Sequence, residues 1–333
     1  MEKVNVAVLG ATGAVGRTMI RILQERRFPM RSLKLLASPH SAGKVIDLGA
    51  KTGIVEEFSP AALKDVDLVF GAVDNDLVEE YAPLIQRSGA LFVDNSSAFR
   101  LEEDVPLVIP EINARDIRWH HGIVANPNCA TILAMMALSP ILKLTRVKRM
   151  IVSTYQAVSG AGMKGMDELE RQIRDPSAAP EVFPFPIAFN VIPQIGDFDE
   201  NGISAEEWKM QNEGRRILHD EALQVSCTCV RVPVYRCHSE SIYVETETEV
   251  SLDAIRQAAE ECPGLVLNEA PYPTPKECTD SDAVVIGRLR RDEACPHGLH
   301  LWCCCDQLRK GAATNAVQIG EWAWQNGLLK KGV

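Results

Sequence analysis

Short apolar runs alternate with amphipathic segments through the first third of the chain. The runs Val4–Leu9, Leu68–Ala72 and Leu91–Asp94 are almost wholly apolar, and the segments Arg17–Glu25 and Asp76–Gly89 have helical spacing. Further strands are predicted at 32–37 and 107–109. Because buried parallel strands are continuously apolar, their alternation with helices predicts a doubly wound α/β sheet.

A glycine-rich turn follows the first predicted strand at once. The sequence Gly10-Ala11-Thr12-Gly13-Ala14-Val15-Gly16 joins that strand to the next helix. Gly10 allows a tight turn, Gly13 lets the backbone approach a pyrophosphate at the helix N-terminus, and Gly16 allows close packing of helix on strand. The context favours a Rossmann-like nucleotide-binding domain, with a ligand-free strand–helix turn as the alternative.

The residues after the second predicted strand bear on the choice of cofactor. NAD-binding units usually place a carboxylate there to hold the ribose hydroxyls. This chain has none between Ala37 and Lys44, where Ser38, His40 and Ser41 stand instead. Such groups suit a 2′-phosphate, so the sequence favours NADP, with NAD as a second option and an ordinary polar turn as the alternative.

The pattern changes after residue 128. The later strands, which include Met150–Tyr155 and the period-two segment Ser241–Glu249, indicate an α+β arrangement with a mainly antiparallel sheet. A chain of 333 residues is also too long for one typical core. We therefore expect a nucleotide-binding domain at 1–128 and 313–333, and a second domain at 129–312.

Composition narrows the class of protein. A formal charge of -10 without a long basic run argues against a nucleic-acid surface. We expect a cytoplasmic protein, because no apolar stretch could span a membrane and no signal peptide precedes the first strand. The ten cysteines are then predicted to form no structural disulfide. No metal is predicted, because the paired spacing of a zinc site is absent from Cys227 and Cys229 and from Cys303–Cys305. We assign Cys303–Cys305 to a buried strand.

The segment Asn126-Pro127-Asn128-Cys129 joins a short apolar strand to a long apolar helix. Asn128 suits the N-cap position, which places Cys129 in the first helical turn. There the helix dipole lowers a thiol pKa and favours the thiolate, and free N–H groups could stabilise an oxyanion. Cys129 is therefore a candidate nucleophile, with a small buried apolar residue as the alternative.

Five charged or titratable residues elsewhere are further candidates. Arg100 follows the carboxyl end of a predicted strand, where ligands bind in such sheets, and could clamp an anion. Glu206 and Lys209 share a helical face, although that spacing is more typical of a solvated pair. Arg231 and His238 are seven residues apart, so an unbroken strand would direct them to opposite faces. A shared pocket requires a bend at Pro233 or just after it.

Seven collinear motifs make the chain resemble the aspartate-β-semialdehyde dehydrogenase family over essentially its full length. The motifs are Gly10–Gly16, Asp94–Arg100, Asn126–Cys129, Gln156–Gly162, Glu206–Lys209, Arg231–Pro233 with Arg236–Ser239, and Leu308–Asn315. The resemblance implies reduction of L-aspartyl β-phosphate by NADPH to L-aspartate β-semialdehyde and phosphate, on the route to lysine, threonine and methionine. It also implies a homodimer or a dimer of dimers, with catalysis and dimer contacts in the second domain.

The resemblance further implies roles for individual residues. Cys129 is the implied nucleophile that forms an acyl thioester, His238 the general acid/base, and Gln156 the residue that orients substrate and intermediate. A histidine with an unperturbed pKa near about 6.5 suits that role at neutral pH. Arg231 and Glu206 are implied to bind the substrate's α-carboxylate and amino group. The implied phosphate ligands are Arg100, Lys209 and Asn128, and the implied cofactor site comprises Gly10, Thr12, Gly13, Ala14, Val15, Ser38, His40, Ser41, Ser159, Gly160 and Asn315.

Two departures and two rival functions qualify the resemblance. Family members often have Arg where His40 stands, and His40 is a weaker, pH-dependent partner for a 2′-phosphate, which leaves room for NAD. Phe99 stands where Trp is common, a change we expect to be mild. N-acetylglutamyl-phosphate reductase shares the fold and the thioester chemistry and is the nearest rival. A non-catalytic binding protein on the same fold is the other, and the intact set of Cys129, Gln156, Arg231 and His238 argues against it.

Overall fold

The structure, a computed structural model, describes residues 2–49 and 52–329 and divides into two compact units. The first unit comprises Met1–Pro127 with Ala312–Val333, and the second comprises Asn128–Gly311. The chain passes from one unit to the other at 127/128 and at 311/312, and each boundary lies one residue before the one expected from the sequence. Residues 330–333, which the sequence assigns to the first domain, lie outside the described residues.

A seven-stranded sheet is the centre of the first unit. Its strands are β1 (Val4–Leu9), β2 (Met30–Ala37), β3 (Val45–Asp47), β4 (Thr52–Glu57), β5 (Leu68–Gly71), β6 (Leu91–Asp94) and β7 (Ile123–Ala125). They lie in the order β3-β4-β2-β1-β5-β6-β7, and neighbours pair in parallel except for β3 with β4. The order reverses between β1 and β5, the switch point at which doubly wound sheets bind ligands. The predicted fold of this half is confirmed.

The helices connect these strands and those of the second unit. They are α1 (Ala14–Glu25), α2 (Asn75–Arg87), α3 (Pro110–Asn113), α4 (Cys129–Leu142), α5 (Gly162–Arg174), α6 (Ala205–Leu218), α7 (Leu252–Glu260), α8 (Pro275–Cys278) and α9 (Thr314–Gln325). In the first unit α1 packs beside α9, and both contribute fully buried side chains such as Met19 and Ile319 to one apolar core. Gly320 lets α9 pack closely on β5, because a Cβ there would lie 2.7 Å from the ring of Phe70. The last helix thus packs against the first sheet and is part of the first unit.

The strand predicted at 107–109 is wrong. Leu107 makes an isolated parallel bridge with Ala125, and α3 begins at Pro110 directly afterwards. Pro106 and Pro110 flank the segment, and neither residue has an N–H group with which to extend a ladder of hydrogen bonds. A run of three apolar residues between two prolines is therefore too short to continue the sheet beyond β7.

The second unit is built on a six-stranded, mostly antiparallel sheet, as the sequence predicts. Its strands are β8 (Val147–Gln156), β9 (Gln224–Arg231), β10 (His238–Thr246), β11 (Leu265–Leu267), β12 (Val284–Arg291) and β13 (Gly298–Cys305). The order is β11-β12-β13-β10-β8-β9, with parallel pairing only at β8–β9 and β11–β12 among the described strands. Cys303–Cys305 end β13 and are fully buried, as expected. All ten cysteines are free thiols.

Helix α4 covers one face of the second sheet and is apolar all round. It contacts β8, β10, β12 and β13 on one side, and α6 and α7 on others. Because α4 is covered on several sides, it has no polar face. The opposite face of the sheet is open, with Ile151 and Tyr155 each 40% exposed. Among the described residues, no helix combines the length and the apolar character that crossing a membrane demands.

We expect Gly10→Ala to lower the free energy of unfolding of the first unit by about 3 kcal/mol or more. Gly10 has a φ of +82°, and a Cβ there would lie 2.2 Å from the carbonyl oxygen of Ala72. Gly43→Ala is the matched control, because Gly43 has a φ of +81° but no atom within 4 Å of the added Cβ. The control should lose only about 1 kcal/mol of backbone strain in urea titrations. Equal losses in the two variants would contradict the clash with Ala72.

Candidate active site

The candidate nucleophile Cys129 opens α4, and Asn128 caps the helix as predicted. The Asn128 Oδ1 atom accepts hydrogen bonds from the N–H groups of Ala130 and Thr131, at 2.9 and 3.2 Å. These two groups are therefore already bonded, and the expectation that they are free to stabilise an oxyanion is wrong for both. Cys129 itself is half-buried, at the positive end of the helix dipole.

The ends of three strands bring the other candidate residues to one edge of the second sheet. Gln156 ends β8 and is paired in register with Arg231, which ends β9. His238 begins β10, which lies on the other side of β8. Arg231 and His238 are thus not on one strand, and the required change of direction falls within 232–237, where Cys237 has a φ of +73°. The bend expected at Pro233 or just after it is confirmed.

Glu206, in the first turn of α6, is a buried carboxylate surrounded by donors. Its Oε1 atom accepts from Asn128 Nδ2 at 2.9 Å and from Gln156 Nε2 at 3.0 Å, and its Oε2 atom lies 3.3 Å from Lys209 Nζ. Burial alone would raise the pKa of Glu206, but Lys209, these two hydrogen bonds and Arg231 outweigh it and lower the pKa to about 2. Glu206 is therefore ionised at neutral pH, so the pair with Lys209 is not an ordinary solvated pair.

The peptide unit of Ala157 connects Arg231 with His238. Arg231 Nη1 donates to the Ala157 carbonyl oxygen at 2.7 Å, and the Ala157 N–H donates to His238 Nδ1 at 3.0 Å. The Arg231 guanidinium also lies over the Phe183 ring, 5.8 Å from its centroid. A Cβ on Gly160 would lie 2.7 Å from Arg231 Nη1 and 3.4 Å from His238 Nε2. A side chain at position 160 would crowd both groups, so glycine suits this position.

Burial changes the protonation expected for His238. The side chain is fully buried, and burial together with the neighbouring Arg231 lowers its pKa to about 3, despite an opposing effect of Glu206. The unperturbed pKa assumed from sequence is therefore wrong, and the ring is neutral at physiological pH. Its Nε2 atom has no hydrogen-bond partner among the described residues. A buried polar atom without a partner, at the edge of a cluster of polar side chains, is suited to meet a ligand.

Several residues of this cluster were not among the sequence candidates. Glu213 accepts the main-chain N–H of Asn128 at 2.7 Å, and a Cβ on Gly311 would lie 3.1 Å from the Cys129 Cβ. Gln307 donates to the hydroxyl of Ser159. Glu213 follows Glu206 by seven residues on α6, two helical turns along the same face, and that spacing could have identified it. Gln307 and Gly311 carry no comparable local signal.

The first unit contains the remaining candidates. Arg100 is buried and donates from Nε to the Asn126 carbonyl oxygen and from Nη2 to that of Asn95, at 3.0 and 2.9 Å. Asn315 is buried at the start of α9, where Nδ2 donates to the Val108 carbonyl oxygen at 2.9 Å and to Asn126 Oδ1 at 2.7 Å. Both side chains are therefore already held in place by several hydrogen bonds within this unit.

The turn at Gly10–Gly16 has the features of an anion site at a helix N-terminus. Gly13 is the N-cap residue of α1 and makes no side-chain cap hydrogen bond, and the first turn of α1 has no acidic residue. A Cβ on Gly13 would find one atom within 4 Å, the Gly10 oxygen at 3.5 Å, so the space beside it is open. Thr12, Ala14 and Val15 complete the same turn. Open space and uncapped N–H groups fit a dinucleotide pyrophosphate.

The segment after β2 forms a short 3₁₀ turn at Pro39–Ser41. Ser38 and His40 are exposed on it, whereas Ser41 is buried and accepts a hydrogen bond from Lys44 Nζ at 3.3 Å. The groups that the sequence singled out for a 2′-phosphate thus lie on one turn at the carboxyl end of β2. Their hydroxyl, imidazole and ammonium groups are of the type that binds phosphate.

Comparison with known proteins decides the family. The family model described as the semialdehyde dehydrogenase NAD binding domain matches residues 5–120, and that of the dimerisation domain matches residues 138–310. A protein of Aquifex aeolicus named aspartate-semialdehyde dehydrogenase is 44% identical, over 97% of this chain and 99% of its own. The chain belongs to the aspartate-semialdehyde dehydrogenase family.

Other aspartate-semialdehyde dehydrogenases agree with this assignment. The Bacillus subtilis protein of that name is 42% identical over 95% of this chain and 96% of its own. The solved structure of aspartate semialdehyde dehydrogenase II from Vibrio cholerae complexed with ASA has a TM-score of 0.95 and 40% identity, covering 98% of this chain and 99% of that chain. The fold of the family therefore extends over both units of this chain.

We expect His238 to make the protein less stable as the pH falls below about 6.5. The unfolded chain takes up a proton on this histidine near pH 6.5, whereas the folded chain remains neutral there until about pH 3. Because the folded pKa is the lower one, stability decreases with falling pH, by at most about 1.4 kcal/mol per pH unit. Urea midpoints between about pH 6.5 and about pH 4.5 should decrease less steeply in His238→Gln than in the parent.

The exposed His121→Gln is the control and should keep the parental slope. Because each variant is compared with the parent, the contributions of other titratable groups to the pH dependence cancel. One such group is Glu240, because burial raises its pKa well above the usual value. Its contribution to stability therefore increases as the pH falls through the same window, opposite to that of His238. A His238→Gln slope identical to that of the parent would show that the folded protein does not hold His238 neutral.

Proposed function

We propose that this chain reduces L-aspartyl β-phosphate to L-aspartate β-semialdehyde with NADPH, through a thioester on Cys129, in the biosynthesis of lysine, threonine and methionine. The observation that carries the proposal is the buried pair of opposite charges beside the nucleophile. Ionised Glu206 and the Arg231 guanidinium are the groups needed to bind the ammonium and the carboxylate of an amino acid. The family assignment supports the same substrate class.

Recognition of the amino group favours this substrate over that of N-acetylglutamyl-phosphate reductase. An acetylated amino group is a neutral amide and cannot neutralise a carboxylate. Glu206 is ionised and buried, with its pKa lowered to about 2. A neutral amide beside Glu206 could donate a hydrogen bond but would bring no charge. An ammonium group would add a charge-assisted hydrogen bond to those that Glu206 already accepts.

The chemistry starts from the Cys129 thiolate. The helix dipole and the electrostatic interaction with Arg231 both favour the ionised sulfur. The thiolate attacks the acyl carbon and expels phosphate, and Gln156 orients the acyl group. We propose that Lys209 and Asn128, in the second unit, hold the phosphate, and Arg100, in the first unit, is a separate candidate anion ligand. His238 is proposed to face the carbonyl oxygen, whose charge changes at each tetrahedral stage.

The cofactor is proposed to occupy the first unit's glycine turn. Reduced nicotinamide supplies a hydride when bound. Gly10 to Val15 are proposed to bind the pyrophosphate, with Asn315 as a further cofactor ligand of the same unit. Ser159 and Gly160 are separate cofactor candidates in the second unit. Ser38, His40 and Ser41 are proposed to bind the 2′-phosphate, which selects NADP. Because a histidine is a weaker and pH-dependent partner for phosphate than an arginine, we expect some use of NAD as well.

We also propose that the open face of the second sheet joins two copies of the chain. The family model that matches this unit is a dimerisation domain. Ile151 and Tyr155 on β8, Tyr243 on β10 and Trp302 on β13 place apolar and aromatic surface on that face. The Tyr155 and Trp302 rings contact each other, with centroids 5.5 Å apart. Aromatic surface of this kind is enriched in protein interfaces.

We expect phosphate-dependent reduction of NADP when the chain is mixed with L-aspartate β-semialdehyde and phosphate. The measurement is the absorbance of the reduced cofactor, with NAD in a parallel cell and phosphate omitted from another. Cys129→Ala should lower the rate by about 10⁴-fold or more, because it removes the nucleophile. Cys295→Ala is the matched control and should retain full activity. Absence of activity with both cofactors would contradict the proposal, and N-acetylglutamate semialdehyde would be tested next.

We expect the double change Ile151→Glu with Tyr155→Glu to convert a dimer into monomers in sedimentation equilibrium. Two carboxylates on the open face would have to be buried without partners in the interface. Ile54→Glu is the control, because Ile54 is 66% exposed but lies in the first unit. A monomeric parent, or a double variant that stays dimeric, would contradict the assignment of this face.

A further inference from the structure

Thr154 places a fully buried hydroxyl two positions before Gln156 on β8. Alternate residues of a strand lie on the same face of the sheet, so the two side chains are neighbours. The Thr154 hydroxyl accepts a hydrogen bond from the Val230 N–H at 3.2 Å and donates its own proton to Gln156 Oε1 at 2.9 Å. The reaction proposed above gives this hydroxyl no role, although it contacts the side chain that orients the acyl group.

Two neighbours determine which end of the Gln156 amide faces which group. The ionised carboxylate of Glu206 can only accept hydrogen bonds, so the amide nitrogen must face it, and Nε2 donates to Glu206 Oε1 at 3.0 Å. The amide oxygen is buried with the rest of the side chain and therefore needs a donor of its own. Thr154 is that donor.

We propose that Thr154 is a positioning residue for the reaction, whose hydroxyl holds the Gln156 amide oxygen so that the amide nitrogen is presented to Glu206 and to the substrate. A primary amide has two N–H groups. Glu206 accepts one of them, and the other meets an oxygen of the substrate. Thr154 thus acts through Gln156 and not on the substrate itself. The inference rests on the function proposed above and deepens it.

The residues that flank Thr154 across the sheet are weak competitors for its proton. Thr154 pairs in register with Cys229 on β9 and with Glu240 on β10. The pKa of the Cys229 thiol is raised, chiefly by its contact with Cys227 and by burial, and burial raises the pKa of Glu240 well above its usual value. Both groups are therefore neutral at physiological pH. A neutral thiol is a poor acceptor and a neutral carboxyl lacks the charge of a carboxylate, so the amide oxygen of Gln156 remains a good acceptor for the hydroxyl.

Loss of the hydroxyl would leave the Gln156 oxygen buried without its donor. A buried acceptor without a partner is unfavourable, so the side chain would turn towards another donor and carry Nε2 with it. The ammonium and carboxylate groups of the substrate would still meet Glu206 and Arg231. The loss should therefore disturb the orientation of the acyl group more than the binding of the substrate, and so affect kcat more than KM.

Steady-state kinetics of Thr154→Val and Thr154→Ser in the full-length protein test the hydroxyl. Valine keeps the shape of threonine without the donor, whereas serine keeps the donor. With the semialdehyde, NADP and phosphate, we expect Thr154→Val to lower kcat by about tenfold or more and to leave KM within about twofold of the parental value. Thr154→Ser should restore kcat to within about threefold of that value. A parental kcat in Thr154→Val, or a Thr154→Ser value equally low, would overturn the proposal.

Thr246→Val is the matched control for the loss of a buried hydroxyl from the same sheet. Thr246 is buried at the end of β10, and its Oγ1 atom donates to the main-chain oxygens of Thr248 and His297, at 2.8 and 3.2 Å. The control should keep the parental kcat. An equal loss of kcat in Thr246→Val and Thr154→Val would show that the effect is general to buried hydroxyls, and would overturn the proposal.

A double-mutant cycle with Gln156→Ala separates positioning from a merely structural role. Because Thr154 acts through Gln156, adding Thr154→Val to Gln156→Ala should change kcat by less than about twofold. The same tenfold loss in both backgrounds would overturn the proposal.

Urea midpoints of the same four proteins carry the test without turnover. Thr154→Val should lower the midpoint more in the parent than in Gln156→Ala, where Thr154 has already lost its acceptor. Equal lowering in the two backgrounds would contradict the coupling of the two side chains. If the parent does not turn over the semialdehyde, the proposed function fails, and the urea midpoints still decide whether Thr154 holds Gln156.

Discussion

The ionised carboxylate of Glu206 is the interaction on which the candidate site of the second unit depends. A carboxylate can remain charged in a buried position only where donors and cations compensate for the lost water. Here the compensation comes from Asn128, Gln156, Lys209 and Arg231. Because these residues begin α4, end β8, continue α6 and end β9, one charge fixes the relative positions of four elements. The nucleophile is the residue after Asn128, so it is positioned by the same charge.

Asn128 shows why residue type matters at this position. Its Oδ1 atom accepts from the first turn of α4, its Nδ2 atom donates to Glu206, and its main-chain N–H donates to Glu213. An aspartate could cap the helix equally well. It would, however, place a second carboxylate oxygen against Glu206, where a donor is required. Asparagine has an acceptor and a donor on separate atoms of one short side chain, so it serves both neighbours.

Local sequence patterns predicted much of this architecture. Features that depend on contacts between distant segments could not be predicted from the sequence. The strand–glycine–helix start of the first sheet, the cap at Asn128 and the bend between Arg231 and His238 follow from patterns within a few residues. By contrast, the interposition of β8 between β9 and β10 depends on strand pairing between distant segments. The neutral state of His238 depends on complete burial beside Arg231, which a sequence does not specify.

The neutrality of His238 completes the charge arrangement around the nucleophile. Arg231 interacts electrostatically with both Glu206 and Cys129, so its positive charge supports the ionised forms of both. A cationic His238 would place a second buried positive charge beside Arg231 without adding a counter-ion, and burial would make that costly. The Ala157 peptide prevents this, because its carbonyl oxygen holds Arg231 while its N–H holds the lone pair of His238. The positive charge of Arg231 consequently remains directed to an anionic group of the substrate.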